Sequence, residues 1–111
     1  MKNLIIVTGG AGFVGSNLIE FLLKKTNKKI ISIDNYSSGS KKNHVKSSKV
    51  KYITSDTSEI GKKLFRYKNK IHSLFHFGEF ARIFKSFEKF DKCLKSNLIG
   101  TNAVFKFCLE N

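Results

Sequence analysis

The feature that most constrains this chain is a five-residue apolar run, Leu4-Ile5-Ile6-Val7-Thr8, followed at once by Gly9-Gly10-Ala11-Gly12-Phe13-Val14-Gly15. A short, β-branched run without polar alternation reads as a strand buried on both faces, the condition of strands in parallel sheets. Glycines at positions 9, 12 and 15 then mark a tight turn. Residues 16–25 follow with Leu18, Ile19, Leu22 and Leu23 at helical spacing, so the turn opens a helix. Lys24, Lys25, Lys28 and Lys29 stand at or just past its end, where positive charge suits the helix dipole.

The alternation continues along the chain. Residues 30–33 read as a second buried strand ending at Asp34, and residues 35–49, rich in Ser, Lys, Asn and Gly, as a solvent-exposed connection. Residues 50–54 read as a third strand and 71–77 as a fourth. Between them, 57–67 reads as a short amphipathic helix with Ile60, Leu64 and Phe65 on one side. From about 87 to 109 a long helix fits, with Phe90, Leu94, Leu98 and Val104 inward. Strands alternating with helices predict an α/β fold with right-handed crossovers, a Rossmann-type parallel sheet with four strands present. No solenoid-period repeat interrupts it.

At 111 residues the chain supports one domain, read as a partial Rossmann unit over 1–111. The 41% hydrophobic content and eleven Phe imply a packed interior. The formal net charge of +13 raises a polyanion-binding alternative. Against it, nearly all the basic residues are Lys, they are spread along the whole chain, and no nucleic-acid-binding signature occurs. The reading is therefore solvated lysines, no specific nucleic acid and no membrane. Cys93 and Cys108 fall in one helix about 20 Å apart, too far to bond. They read as core thiols of a reducing compartment, with no metal spacing. Nothing resembles a signal peptide or a membrane span, so a cytoplasmic location is expected.

Five motifs carry chemistry. In the glycine turn, Gly9 allows the tight turn, Gly12 lets the backbone approach a pyrophosphate, and Gly15 permits close packing of the helix. The helix start offers free N–H groups to phosphate. Asp34, nineteen residues past Gly15, can accept both hydroxyls of an adenosine ribose and would repel a 2′-phosphate, or it can cap a turn with Asn35. Asp56, closing the third strand, suits either an adenine contact or an N-cap for the helix at Thr57. His76-Phe77-Gly78-Glu79-Phe80-Ala81-Arg82 closes the fourth strand, at the carboxyl end where α/β sheets bind ligands. His76 there is read as a packed structural histidine rather than a base, and Glu79 and Arg82 either reach a ligand or pair with each other. Ser96-Asn97-Leu98-Ile99-Gly100-Thr101-Asn102 places a Ser-Asn pair and a glycine in mid-helix, which is costly without a reason such as a pocket or tight packing.

Taken in order, these motifs resemble the extended short-chain dehydrogenase/reductase family, in particular nucleotide-sugar epimerases and dehydratases of the UDP-glucose 4-epimerase type. The family's TGxxGxxG is matched by Thr8, Gly9, Gly12 and Gly15. Its Asp-Asn with a Ser-Gly loop is matched by Asp34-Asn35-Tyr36-Ser37-Ser38-Gly39. Its third-strand Asp is matched by Asp56, its His-x-small pattern by His76-Phe77-Gly78, and its Asn-x-x-Gly-Thr by Asn97, Gly100 and Thr101. The resemblance implies NAD as cofactor. Gly9, Gly12, Phe13, Val14 and Gly15 would lie at the pyrophosphate, and Asp34, Asn35, Ser37, Ser38 and Gly39 at the adenosine ribose. Asp56 and Thr57 would flank the adenine, Phe77, Gly78, Glu79 and Ala81 would line the nicotinamide side, and Ser96 would add a polar contact.

Two departures stand out. Glu79 replaces a small residue, and Ala81 stands where some epimerases have Lys. The family's catalytic Ser/Thr and Tyr-x-x-x-Lys fall beyond residue 111: none of Tyr36, Tyr52 and Tyr67 has a Lys four positions on. In these enzymes a tyrosinate takes the sugar hydroxyl proton as hydride passes to the nicotinamide. The resemblance therefore implies an NAD-binding portion with no catalytic residue of its own, handling a nucleotide-sugar only if the missing half is supplied. A stand-alone NAD-binding or sensing module is the alternative. The fourth strand is expected to be an open edge and the last helix to expose apolar residues, which favours self-association.

Overall fold

The structure is a computed structural model that describes residues 2–79 and 90–111. Four strands form one parallel sheet: β1 (Leu4–Thr8), β2 (Lys29–Asp34), β3 (Val50–Thr54) and β4 (Ile71–His76). Their order is β3-β2-β1-β4, so the chain moves outward from β1 to β3 and then returns to the other side of β1. That reversal of direction puts a crevice between the carboxyl ends of β1 and β4, where open α/β sheets bind ligands.

All five residues of β1 are buried. They divide by the two-residue period of a strand. Leu4 and Ile6 join Ile31, Ile33, Ile60, Leu64, Ile71, Val104 and Phe107 on one face. Ile5 and Val7 join Ile30 and Ile19 on the other, with Leu18, Leu22 and Leu23 of the first helix packed against them. Each large aliphatic side chain so buried contributes roughly 1.5–3 kcal/mol of transfer free energy. The centre of the sheet is thus covered on both faces, which explains the apolar runs of β1 and β2, whereas β3 and β4 at the edges mix polar and apolar residues and are only partly buried.

Helix α1 spans Phe13–Lys25 and begins three residues earlier than the side-chain periodicity predicts. Gly12 is its N-cap and supplies no side-chain bond, so no residue at that end announces the helix start. The expected 57–67 helix is broken into a 3₁₀ turn (Thr57–Glu59), one turn of α-helix α2 (Ile60–Lys63) and a second 3₁₀ turn (Phe65–Tyr67). Ile60 and Leu64 are buried, whereas Phe65 is exposed, contrary to expectation.

The long helix is present over 90–110 but is not uniform. It runs as α3 (Phe90–Leu94), a π-helical stretch (Lys95–Gly100) and α4 (Thr101–Glu110). The residue inserted by π geometry shifts the helix face. Phe90, Leu94 and Leu98, expected inward, are 65%, 41% and 54% exposed, while Val104 is 3% exposed and Phe107 joins it in the core. Neither cysteine is a core thiol: Cys93 is half-buried and Cys108 exposed.

The 35–49 connection is less open than its composition implies. His44 stacks on Tyr52 of β3 with ring centroids 3.7 Å apart. The Tyr36 hydroxyl lies 2.6 Å from His44 Nε2, and the Val45 amide donates to the Tyr52 hydroxyl at 2.7 Å. A 3₁₀ turn at Lys41–Asn43, capped by Ser40, completes the loop.

Candidate functional site

A cleft of about 540 Å³ opens along the carboxyl ends of the strands. Its floor is the glycine turn. Gly9 adopts φ +73°, and a Cβ there would sit 2.7 Å from the Phe77 carbonyl carbon and oxygen. No other residue fits both that backbone region and that approach. The Gly9 amide donates to the Ile33 carbonyl at 2.7 Å, and the Gly12 amide to the Gly9 carbonyl at 3.1 Å. The turn is thereby tied to β2 and β4 and aims the start of α1 at the cleft. Gly15 packs against the Gly9 carbonyl, so its glycine serves helix-to-turn packing.

Asp34 closes β2 with both carboxylate oxygens engaged. Oδ2 accepts the Ala11 amide at 3.0 Å and Oδ1 accepts the Tyr36 amide at 2.8 Å. Of the two roles open to it, turn capping is realised, and the carboxylate also clips the glycine turn to β2. A carboxylate offers about four acceptor positions, so one per oxygen remains to meet a pair of hydroxyls. Asn35, Ser37 and Ser38 line the same end of the cleft. Gly39 does not; it backs onto Ala11 and the Asp34 carboxylate.

Asp56 occupies the N-cap position of the Thr57–Glu59 turn without a side-chain cap bond. Its Oδ1 instead accepts the Asn35 side-chain amide at 2.8 Å, and its Oδ2 pairs with Lys95 Nζ at 3.3 Å. The Asn35 hydrogen bond, joined by the Lys95 ammonium and opposed by burial, holds the Asp56 carboxyl below the usual carboxylate range. Thr57 is buried between Gly78 and Gly100 and touches the cleft.

The β4 end is organised by one hydroxyl. Thr8 Oγ1 accepts the Phe77 and Gly78 amides, each at 3.0 Å. With both acceptor positions filled, its own hydrogen is directed to His76 Nδ1, 2.6 Å away. That assigns the proton of the neutral ring to Nε2, which lies 3.1 Å from Thr101 Oγ1, and Thr101 in turn donates to Glu79 Oε1 at 3.1 Å. Burial pushes the His76 imidazole below the usual histidine value, with the Glu79 charge opposing. The histidine is a member of a hydrogen-bond chain that runs from Thr8 to Glu79. Ser96 Oγ donates to the Gly78 carbonyl at 3.3 Å and joins the last helix to β4.

Of the residues expected at the site, Gly9, Gly12, Asp34, Asn35, Ser37, Ser38, Asp56, Thr57, Phe77, Gly78, Glu79 and Ser96 line this one cleft. Phe13 and Val14 lie at the first turn of α1 with exposed side chains and do not line it. Ala81 and Arg82 lie outside the described residues. Lys92 and Lys95 also line the cleft, and sequence reasoning missed them. Nothing in the sequence distinguishes them from the other lysines. Among the described residues no His, Cys, Asp or Glu cluster could hold a metal ion.

This architecture is that of a dinucleotide-binding α/β domain. The family model of the NAD dependent epimerase/dehydratase family matches residues 5–111, and the chain belongs to that family. It is 32% identical over 111 residues to a dTDP-D-glucose 4,6-dehydratase of Dictyostelium discoideum, covering 94% of this chain and 25% of that protein. It is 30% identical over 104 residues to a UDP-glucose 4-epimerase of Pasteurella multocida, covering 87% and 30%. Among solved structures, an epimerase of Methanothermobacter thermautotrophicus superposes with a TM-score of 0.87 at 27% identity, over 98% of this chain and 32% of that one. The enzyme WbmG of Bordetella bronchiseptica, solved in complex with NAD, superposes with a TM-score of 0.80 at 25% identity, over 94% and 33%. The chain thus spans about a quarter to a third of the length of these relatives.

Proposed function

We propose that this chain binds NAD in the cleft at the carboxyl ends of its strands, as the cofactor-binding portion of a nucleotide-sugar epimerase or dehydratase of the UDP-glucose 4-epimerase type. The observation that carries the reading is the coupling of Asp34 to the glycine turn through the Ala11 amide at 3.0 Å. It fixes the distance between a helix N-terminus suited to a pyrophosphate and a carboxylate suited to a ribose diol. The fit is chemical as well as geometric. The cleft has open backbone at Gly12, a carboxylate with one free acceptor position per oxygen, and a second carboxylate, Asp56, at the β3 end.

When bound, NAD would supply the hydride acceptor. The residues of this chain hold and orient it: Gly9 and Gly12 at the pyrophosphate, Asp34, Asn35, Ser37 and Ser38 at the adenosine ribose, Asp56 and Thr57 by the adenine, and Phe77, Gly78, Glu79 and Ser96 on the nicotinamide side. The reading gives none of them an acid or base role toward a sugar, and His76 beside them is engaged at both ring nitrogens. These 111 residues are therefore expected to bind cofactor without turning over a nucleotide-sugar by themselves. The reading includes a cytoplasmic setting, where the cofactor is available; no helix of the described residues is long and apolar enough to cross a membrane. It also includes self-association through the exposed apolar residues of the last helix. Saturable binding of NAD by the purified chain, followed calorimetrically, tests the reading. Binding to DNA with a steep salt dependence and no response to NAD would favour the polyanion alternative.

A further inference from the structure

The strand order divides the cleft into two halves. Asp34 lies on the β2 side of the glycine turn, and Phe77, Gly78 and Glu79 lie on the β4 side. A dinucleotide with its pyrophosphate on the start of α1 and its adenosine ribose on Asp34 must carry its other nucleoside over the end of β4. Glu79 lines the cleft there, with its side chain about half exposed.

The carboxylate is held in place from behind. Thr101 donates to Oε1 at 3.1 Å, and the orientation of that hydroxyl is set by His76 and, behind it, Thr8. The chain is built from neutral donors. His76 Nε2 is 3.5 Å from Glu79 Oε1, but protonation of His76 would place a hydrogen on Nδ1 facing the Thr8 hydroxyl, whose acceptor positions are already taken by the Phe77 and Gly78 amides. Two ammonium groups share the cleft: Lys95 is paired with Asp56, and among the described residues neither Lys92 nor Lys95 forms an ion pair with Glu79. The network therefore fixes the Glu79 carboxylate without cancelling its charge.

A nicotinamide ring carries a positive charge when oxidised and none when reduced. We propose that Glu79 is a specificity-determining residue for the redox state of the cofactor: its fixed carboxylate favours the oxidised, positively charged ring over the reduced, neutral one. The proposal rests on the reading that NAD occupies this cleft. With the carboxylate about half exposed, its attraction for a neighbouring unit charge is screened toward the value in bulk water, which corresponds to a preference of roughly three- to tenfold.

The test is calorimetric titration of the full chain with NAD+ and with NADH at low salt. The wild type is compared with Glu79→Gln, which still accepts the Thr101 hydrogen, and with Glu79→Asp, which keeps the charge. The ratio of the NADH to the NAD+ dissociation constant is expected to fall roughly three- to tenfold in Glu79→Gln and to stay near the wild-type value in Glu79→Asp. The difference between wild type and the amide variant should shrink at about 1 M salt, where the screening length is near 3 Å. Glu79→Ala, which lacks charge and bulk, must give the same fall and keeps the test open if the amide variant does not fold. Equal ratios in wild type and neutral variants, with both cofactors bound, would overturn the proposal while leaving NAD as occupant. A folded wild-type chain that binds neither cofactor would overturn the occupant, and the proposal with it.

Discussion

Gly100 lies directly against Thr57: a Cβ on Gly100 would overlap the Thr57 hydroxyl oxygen. The contact joins the last helix to the turn after β3, and Thr57 also touches the position a Cβ on Gly78 would take, at 2.9 Å from its Cγ2. One buried threonine thus sets how closely the β4 end and the helix approach beneath the cleft. Gly100→Ala is expected to destabilise the chain by about 1–3 kcal/mol through overpacking. In denaturant titrations, Thr57→Ala in the same chain should recover at least half of that loss, the non-additivity of residues in contact. Additive effects of the two substitutions would contradict this packing.

The His76 pKa gives a pH dependence with a definite sign. Burial depresses it in the folded chain, so the unfolded chain takes up the proton first as pH falls. The contribution of the neutral ring is complete above the ordinary histidine value of about 6.5 and is lost as pH falls through the lower folded value. Stability should decline over that window, and less steeply in His76→Gln. The groups facing the ring are Thr8, Thr101 and Glu79. An NMR titration placing His76 above about 6.5 would contradict the hydrogen-bond order that runs from Thr8 through His76 to Thr101.

Asp56 behaves as a depressed carboxylate. Its pairing with Asn35 and Lys95 stabilises the fold above the ordinary Asp value of about 3.9 and is lost as pH falls through the depressed one. Asn35→Ala and Lys95→Met should each raise the Asp56 pKa, because the Asn35 hydrogen bond is the largest single influence and the Lys95 ammonium adds to it through both a hydrogen bond and its charge. Carboxyl carbon shifts followed by NMR report both. An Asp56 pKa left unmoved by Asn35→Ala would mean that the ion pair, not the amide, holds this carboxylate.

Phe90, Leu94, Leu98, Ile99, Phe105 and Leu109 are all exposed on the last helix. Sedimentation velocity of the purified chain is expected to show mass rising with concentration, and Leu98→Lys with Phe105→Lys to move the population toward monomer. A monomer across the full concentration range would rule self-association out.

The sheet was legible because burial on both faces leaves a direct mark. Leu4–Thr8 and residues 30–33 are runs with no polar alternation, and each ends at a residue that shapes the cleft. The glycine turn, Asp34 and Asp56 were legible for the same reason: they occur at strand ends, where position follows from topology. Other features left weaker marks. A four-residue spacing through Phe90, Leu94 and Leu98 predicts an inward face, but the π-helical stretch at Lys95–Gly100 rotates the helix away from it. The Tyr36–His44–Tyr52 cluster joins residues of a loop and a strand, so composition alone reads the loop as open. Lys92 and Lys95 acquire their place in the cleft only from the path of the last helix. Phe13 and Val14 stand at the pyrophosphate by resemblance, and their side chains are exposed and do not line the cleft.

The most direct test of NAD binding in this cleft is calorimetric titration of the chain with NAD and NADP at moderate salt, repeated with Asp34→Ala. The expected result is saturable NAD binding, NADP weaker by about tenfold or more, and loss of NAD affinity by about ten- to a hundredfold when the Asp34 carboxylate is removed. A chain that is folded by circular dichroism yet binds neither nucleotide, or binds NADP as well as NAD with Asp34 intact, would contradict it.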